Sequence, residues 1–339
     1  MDKIKSFYSS KNICIENLYT SMCNALKRPQ QNIYAYSWNF GYNPEKDSFA
    51  KRITLSRDGQ IINTEQQYAL VDYCGIKPIW HSNCNMKNFV DNILRKEIAN
   101  NRPVALAIDI FSCYWHIFFN KFHFAHYCLI TDIDDDGVVC VDDTLASEDG
   151  FLKLQTRPER VKISFETLEK YIFGYVTFET NLSISNYSKD KIIYLSALKT
   201  LTGFNGISDF ENMRKLLHDI DKNFNIDQEI QNEIEKTSDV RAMALPRTFG
   251  TLFWSRYNYY DFLKNNQNNC HLNLNYILNE MQKSVTLWEE IFNSILKCAI
   301  TGKNISIKQV LQKNLSKIIT IEESLANHII NEFEMKFYE

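Results

Sequence analysis

HFAHYCLITDIDDDGVVCVDD, residues 123–143, reads as two β-strands joined by a tight acidic turn. The first strand, 126–131 (HYCLIT), is apolar and rich in strand formers, and the second, 138–141 (VVCV), repeats that composition. Asp134, Asp135, Asp136 and Gly137 lie between them, and Gly137 is expected to supply the positive-φ residue of a hairpin turn. Antiparallel pairing brings the start of the first strand beside the end of the second. His126 opens the first and Asp142 ends the second, so the two are expected to be neighbours although sixteen residues separate them. An imidazole held by a carboxylate is half of a catalytic triad, and the missing half is a nucleophile.

Upstream, NICIENLYTSMCNALKR (12–28) places Ile15, Leu18, Tyr19, Met22 and Leu26 at helical spacing. A helix is expected from about Cys14 to Arg28, stopped by Pro29. Cys14 falls in its first turn, where unpaired N–H groups and the helix dipole favour a thiolate. Cys23, mid-helix, reads as a packing residue. Of nine cysteines Cys14 alone opens a helix, and it is the expected nucleophile. His81, His116 and His123 are alternative bases and Asp143 an alternative orienter. His126 and Asp142 are preferred for their places at a strand start and a strand end.

Around this pair the chain alternates in character. Residues 32–42 and 51–62 read as strands, the second with an Asp58-Gly59 turn. Helices are expected at 64–74, with Thr64 as cap and Gly75 as stop, and at 85–100. Residues 78–81 read as a short extended piece, and 102–109 as a buried strand. Between that strand and the hairpin, 110–125 carries Phe111, Tyr114, Trp115, Phe118, Phe119, Phe122 and Phe124, too many aromatics for an exposed loop. The segment either covers the sheet or walls a substrate pocket that ends at His126. A capped helix from Ser164 and a strand at 175–178 close the region.

From 181 to 190 the chain is polar and serine-rich, a linker, and beyond it the periodicity is helical to the C-terminus. The expected organisation is α+β: a catalytic domain over 1–182 and a helical domain over 183–339. Within the helical half, 245–260 is aromatic-rich with Arg247 and Arg256 interleaved, which reads as core or as a groove for an aromatic or phosphate-bearing ligand.

Several classes are excluded. A net charge of −3 with pI about 6.2 offers no basic excess for nucleic acid. No apolar run reaches the ~18 residues of a membrane span, and the polar N-terminus lacks a signal-peptide core. A cytoplasmic chain with reduced thiols is expected, in which the Asn-x-Ser matches at Asn181, Asn186, Asn304 and Asn314 carry no glycan. Histidines and cysteines lack the spacing of zinc sites. Asp132, Asp134, Asp136, Gly137 and Asp143 imitate a calcium loop, but strands rather than helices flank them. No metal and no bound cofactor is expected.

A cysteine at a helix start, a histidine opening a strand and an aspartate ending the next, in that order, resembles the layout of papain-like enzymes. That layout implies that the histidine takes the thiol proton, that the aspartate fixes the imidazole tautomer, and that first-turn N–H groups form the oxyanion hole. No glutamine stands a few residues before Cys14, where papain-like peptidases keep their oxyanion side chain, a departure from an ordinary peptidase. The Cys14-Ile15-Glu16 start, the 104–109 strand leading through aromatics to His126, and Val139-Cys140-Val141-Asp142 resemble the butirosin-biosynthesis-H-like proteins over roughly residues 12–180. Within that setting the chain is also similar to the cysteine-protease-fold amide synthases of closthioamide assembly.

The resemblance implies an acyl-cysteine enzyme of natural-product biosynthesis, fed by a phosphopantetheine thioester on an acyl or peptidyl carrier protein and discharged to a small amine, a diamine among them. Lys3, Lys5, Lys11, Lys27 and Arg28 are then the candidates for meeting an acidic carrier. Asp109, Tyr114, Trp115, Phe119 and His123 are the candidate substrate-binding residues, Asp109 for the second nitrogen of a diamine and Trp115 for a barrier to water. A peptidase or thioesterase with the same triad is the alternative activity, and a non-catalytic binding protein of the same fold is the third class.

Overall fold

The computed structural model describes residues 4–5, 7–9, 11–54, 65–82, 85–116, 118–142, 160–204, 206–223, 225–237, 239–240, 243–303 and 306–337. The expected features at Lys3, Asp58, Gly59, Thr64, Asp143 and Asn304 lie outside those residues. The chain divides into two compact units, Met1–Ile33 with Gly59–Ser185 and Tyr34–Asp58 with Asn186–Glu339. The expected break at 182/183 falls close to the second boundary. The first boundary was not expected: the segment from Tyr34 leaves the N-terminal domain and packs with the helices.

In the first unit α1 spans Cys14–Ala25, and Ile15 to Cys23 are all buried. Burial all round explains why its polar residues are tied down. Glu16 Oε2 accepts the Ile13 N–H at 2.9 Å, Thr20 Oγ1 donates to the Glu16 carbonyl at 2.9 Å, and Ser21 Oγ donates to the Asn17 carbonyl at 2.8 Å. The helix stops short of Arg28, with Lys27 at a φ of 53°. Where strands were expected, the described residues of the 34–54 segment hold the two-residue β1 (Gly41–Tyr42), α2 (Phe49–Arg52) and β2 (Ile53–Thr54). The expected strand at 32–42 begins instead as a 3-10 turn over Gln30–Tyr34.

The chain returns to the first unit with α3 (Glu65–Cys74), β3 (Lys77–His81), α4 (Met86–Asn88), a π-helical stretch over Phe89–Leu94 and α5 (Arg95–Ala99). There follow β4 (Val104–Asp109), β5 (Ala125–Ile133), β6 (Gly137–Val141), β7 (Arg160–Ser164), α6 (Phe165–Tyr171) and β8 (Ile172–Glu179). Six strands form one antiparallel sheet in the order β3-β8-β4-β5-β6-β7. The wholly buried β4 is an inner strand, as its unbroken apolar run requires. One face carries Leu106, Ile108, Cys128, Ile130 and Cys140, packed with Phe89, Leu94 and Leu168. The opposite face, with Tyr127 and Leu129, meets Leu18 of α1, and Tyr19 sets its ring edge-on to Phe178.

The β5–β6 hairpin forms, but its turn works differently from expectation. Gly137 is not among the positive-φ residues. The turn is held by Asp134, whose Oδ1 accepts the N–H groups of Asp136 at 2.9 Å and Gly137 at 3.0 Å. Glycine is needed at 137 for room, since a Cβ there would stand 2.2 Å from the Ile163 carbonyl oxygen on β7. The acidic run binds a cation of the chain itself: Lys162 Nζ lies 2.7 Å from Asp134.

The second unit contains α7 (Lys189–Thr202), α8 (Asp209–Lys222), α9 (Ile226–Lys236), α10 (Ala244–Asn265), α11 (Leu274–Thr301) and α12 (Ile307–Phe337). The 34–58 segment is held there by hydrogen bonds no local pattern announces. Phe40 N–H donates to Asp209 at 3.0 Å, the Tyr42 hydroxyl to Asp219 at 2.6 Å, and Arg52 to the same carboxylate at 3.1 Å. Arg256 is core, not a groove. It is fully buried, lies 3.3 Å from Glu322, donates to the Asn39 carbonyl at 2.8 Å and stacks over Trp288. Glu322 also accepts from Ser284 and from Trp288 Nε1 at 3.1 Å. Among the described residues no helix is long and apolar enough to cross a membrane.

Removing one member of a buried ion pair leaves the other charge unpaired, which costs about 3–5 kcal/mol. Glu322→Ala should therefore lower the unfolding free energy of the chain by about that amount in urea titrations. A change within about 0.5 kcal/mol, typical of an exposed site, would show that the cluster does not hold this unit.

Candidate active site

Cys14 is the first residue of α1, and what precedes it is fixed by the buried polar side of that helix. Ile13 is extended, and Glu16 reaches back to its N–H, half of a capping box. Asn17 Oδ1 accepts from the Ser9 N–H and from Asn12 Nδ2, both at 3.0 Å, and Ser21 Oγ accepts the Phe7 N–H at 2.8 Å. Residues 7–9 and 11–13 are thus strapped along α1 and lead to Cys14 at the helix start. Glu16 N–H donates to the Ile13 carbonyl at 3.0 Å, which leaves the N–H groups of Cys14 and Ile15 at the helix start to meet an oxyanion.

His126 sits opposite Ile108 in the β4–β5 ladder and is buried with Asp142, the residue that follows β6. Its Nε2 lies 2.7 Å from Asp142 Oδ2. A carboxylate only accepts, so Nε2 carries a proton and Nδ1 is the nitrogen left for Cys14, whose thiol reaches the ring. Burial by itself pushes the imidazolium pKa down. The charge and hydrogen bond of Asp142, followed by the hydrogen bond and charge of Cys14, outweigh it and hold His126 well above the usual histidine range. The surroundings of the ring therefore favour its protonated form.

Trp115, expected as a substrate-binding barrier to water, holds a different place. Trp115 Nε1 donates to the same Asp142 oxygen at 2.5 Å, and its side chain is only 5% exposed. Trp115 therefore orients the carboxylate that orients His126, rather than walling an open pocket. Twenty-seven residues separate the two, and no spacing rule links them. His116 is also brought in, its ring centroid 5.1 Å from that of His126. Behind the pair lie inert thiols. Burial pushes the Cys113 thiol up to about 12, and a hydrogen bond from Cys140 together with burial raises Cys128.

The other candidates stand apart from this cluster. Tyr114 is exposed and sets its ring edge-on to Trp115, and Phe119 is exposed. Asp109 and His123 bond each other at 2.7 Å, so the Asp109 carboxylate is already engaged and does not wait alone for a substrate nitrogen. His81 is occupied elsewhere, with Nε2 at 2.9 Å from Thr177. A cavity of about 10 Å³ adjoins Cys14, between Asn17, Leu18 and Ser21 of α1 and Tyr127, Leu129 and Asp142 of the hairpin. That is room for one water, not an acyl chain. Among the described residues no cluster suits a metal ion.

Asp142→Asn tests this arrangement. It removes the charge that keeps His126 protonated, so the ring's pKa falls and the imidazolium that stabilises a Cys14 thiolate is less populated. Alkylation of Cys14 by iodoacetamide at neutral pH should be slower in Asp142→Asn than in the wild type. The difference should narrow as pH rises through the raised His126 value, where the wild type also loses its imidazolium. Equal alkylation rates at neutral pH would detach Asp142 from the thiol.

No protein-family model matches the chain, and no curated protein matches it.

Proposed function

We propose that the chain is a cysteine acyltransferase of papain-like architecture, an amide synthase that moves an acyl group from a carrier-protein thioester to an amine. The observation that carries this reading is the Cys14–His126–Asp142 constellation, in which His126 Nε2 is committed to Asp142 and Cys14 meets the same ring. In the first half-reaction Cys14 Sγ attacks the thioester carbonyl, and the pantetheine sulfur leaves with the proton held by His126. In the second, the amine attacks the acyl-cysteine and His126 takes a proton from its nitrogen as the C–S bond breaks. First-turn N–H groups of α1 receive the oxyanion in both steps.

The setting is cytoplasmic natural-product biosynthesis, with phosphopantetheine brought by the carrier and no cofactor of the enzyme's own. Among the candidate cations, Lys5 and Lys11 precede Cys14. Lys27 and Arg28 follow the far end of α1, and twelve helical residues span about 18 Å. Arg28 is engaged with the Thr180 carbonyl at 3.1 Å. Docking beside Lys5 and Lys11 is the reading retained, and Arg256 is excluded by its burial. A hydrolase with the same triad is the alternative, favoured by the one-water cavity that touches both Cys14 and Asp142.

Intact-protein mass spectrometry with acyl-pantetheine thioesters separates the readings. The wild type should gain one acyl group, Cys14→Ala none, and added diamine should discharge the adduct as amide in preference to free acid. Orientation can supply effective molarities of roughly 10⁵ M against ~55 M water, so millimolar amine suffices if a site holds it. Free acid alone at saturating diamine would establish the hydrolase, and an adduct that persists in Cys14→Ala would remove the nucleophile.

A further inference from the structure

Asp109 ends β4 with Ala125 as its register partner, one residue from His126. Side chains alternate along a strand, so Asp109 projects to the face of Ala125, Tyr127 and Leu129, the face that α1 covers. Cys14 stands at this end of α1, against Tyr127. Both oxygens of Asp109 are used: Oδ1 accepts the Phe111 N–H at 3.1 Å and Oδ2 meets His123 Nδ1 at 2.7 Å. Nδ1 therefore carries the proton and Nε2 keeps its lone pair. The ring lies flat on Phe111, centroids 4.2 Å apart and planes 12° apart, and the His123 side chain is 65% exposed. Among the described residues Nε2 has no hydrogen-bond partner. Beyond Phe111 stands Tyr171, with Lys170 over its ring. Three residues of chain place the His123 backbone within roughly 10 Å of that of His126.

This is a second His–Asp dyad, oriented like a base and open to solvent, beside a site whose own histidine has one proton to take. An alkyl amine at neutral pH is an ammonium ion, with a pKa near the ~10.4 of lysine. An ammonium has no lone pair, so one proton must leave before attack and a second as the C–N bond forms. His126 accounts for the second. Resting on the acyl-transfer reading, we infer that His123, held by Asp109, is a receiving base for alkylammonium acceptors that takes the first proton and returns it to solvent. The balance closes: acyl-cysteine, neutral His126 and ammonium give amide, Cys14 thiolate, protonated His126 and one proton released through His123.

The test uses the full chain as wild type, His123→Gln and Asp109→Asn, acylated with benzoyl-pantetheine and offered one of two amines. Propylamine is an ammonium at neutral pH, whereas methoxyamine is already the free base. His123→Gln should lose at least about tenfold in kcat/KM for propylamine and change less than about twofold for methoxyamine. Asp109→Asn should move in the same direction, and the exposed His123 keeps the test decisive if Asp109→Asn fails to fold. Equal losses with both amines, or none with either, would overturn the inference and leave the dyad a structural tie. A wild type that yields free acid with both amines would instead remove the acyl-transfer reading, a failure visible without any variant.

Discussion

The buried carboxylate of Asp142 is the constraint from which the site is assembled. A lone carboxylate in the interior costs several kcal/mol unless its charge is met. Here one oxygen is met twice, by His126 Nε2 and by Trp115 Nε1. The same bond that stabilises the anion fixes the ring's tautomer and turns Nδ1 toward Cys14. Trp115 gives the carboxylate a neutral donor, so Asp142 is held in place whether or not His126 is protonated. The indole belongs to the same apolar cluster as Leu106, Ile108 and Cys128, which couples the geometry of the site to the packing of the sheet.

Cys14 is positioned by an independent device. α1 is buried on every side, and its polar residues use the preceding chain as their partner: Asn17 and Ser21 accept backbone N–H groups from Ser9 and Phe7. Without that strap Asn17 Oδ1 and Ser21 Oγ would each lose these accepted hydrogen bonds, at a net cost of about 1 kcal/mol apiece. Satisfying them carries the chain across the helix and ends it at Cys14. Strap and hairpin thus converge from opposite ends of the domain on one imidazole.

What could be read from the sequence was local and periodic. The hairpin, the Cys14 helix, the inner strand at 104–109 and the long helices after residue 189 each carry a period or a cap that shows within a few residues. What could not be read was set by distant partners. Residues 32–42 and 51–62 look strand-like because aromatic and β-branched residues favour strands. Their fate was decided by Asp209 and Asp219, 169 and 177 residues away from Phe40 and Tyr42. Arg256 reads as core or as part of a ligand groove, and Glu322, 66 residues on, is what makes it core. Gly137 was placed in the turn correctly but for the wrong reason, because the approach of β7 is a tertiary fact. Within the site the His126–Asp142 pairing was legible, and the Trp115–Asp142 and Asp109–His123 bonds were not, since neither follows from a repeat.

The central claim is that Asp142 and Cys14 keep His126 protonated in the resting chain. Nitrogen NMR of the imidazole rings across neutral pH measures this directly, with His126→Gln to assign the resonance. The account requires both ring nitrogens of His126 to carry protons at neutral pH, and the ring to become neutral only well above the usual histidine value of about 6.5. A His126 resonance that titrates at the usual value, or that is already neutral below it, would contradict the account.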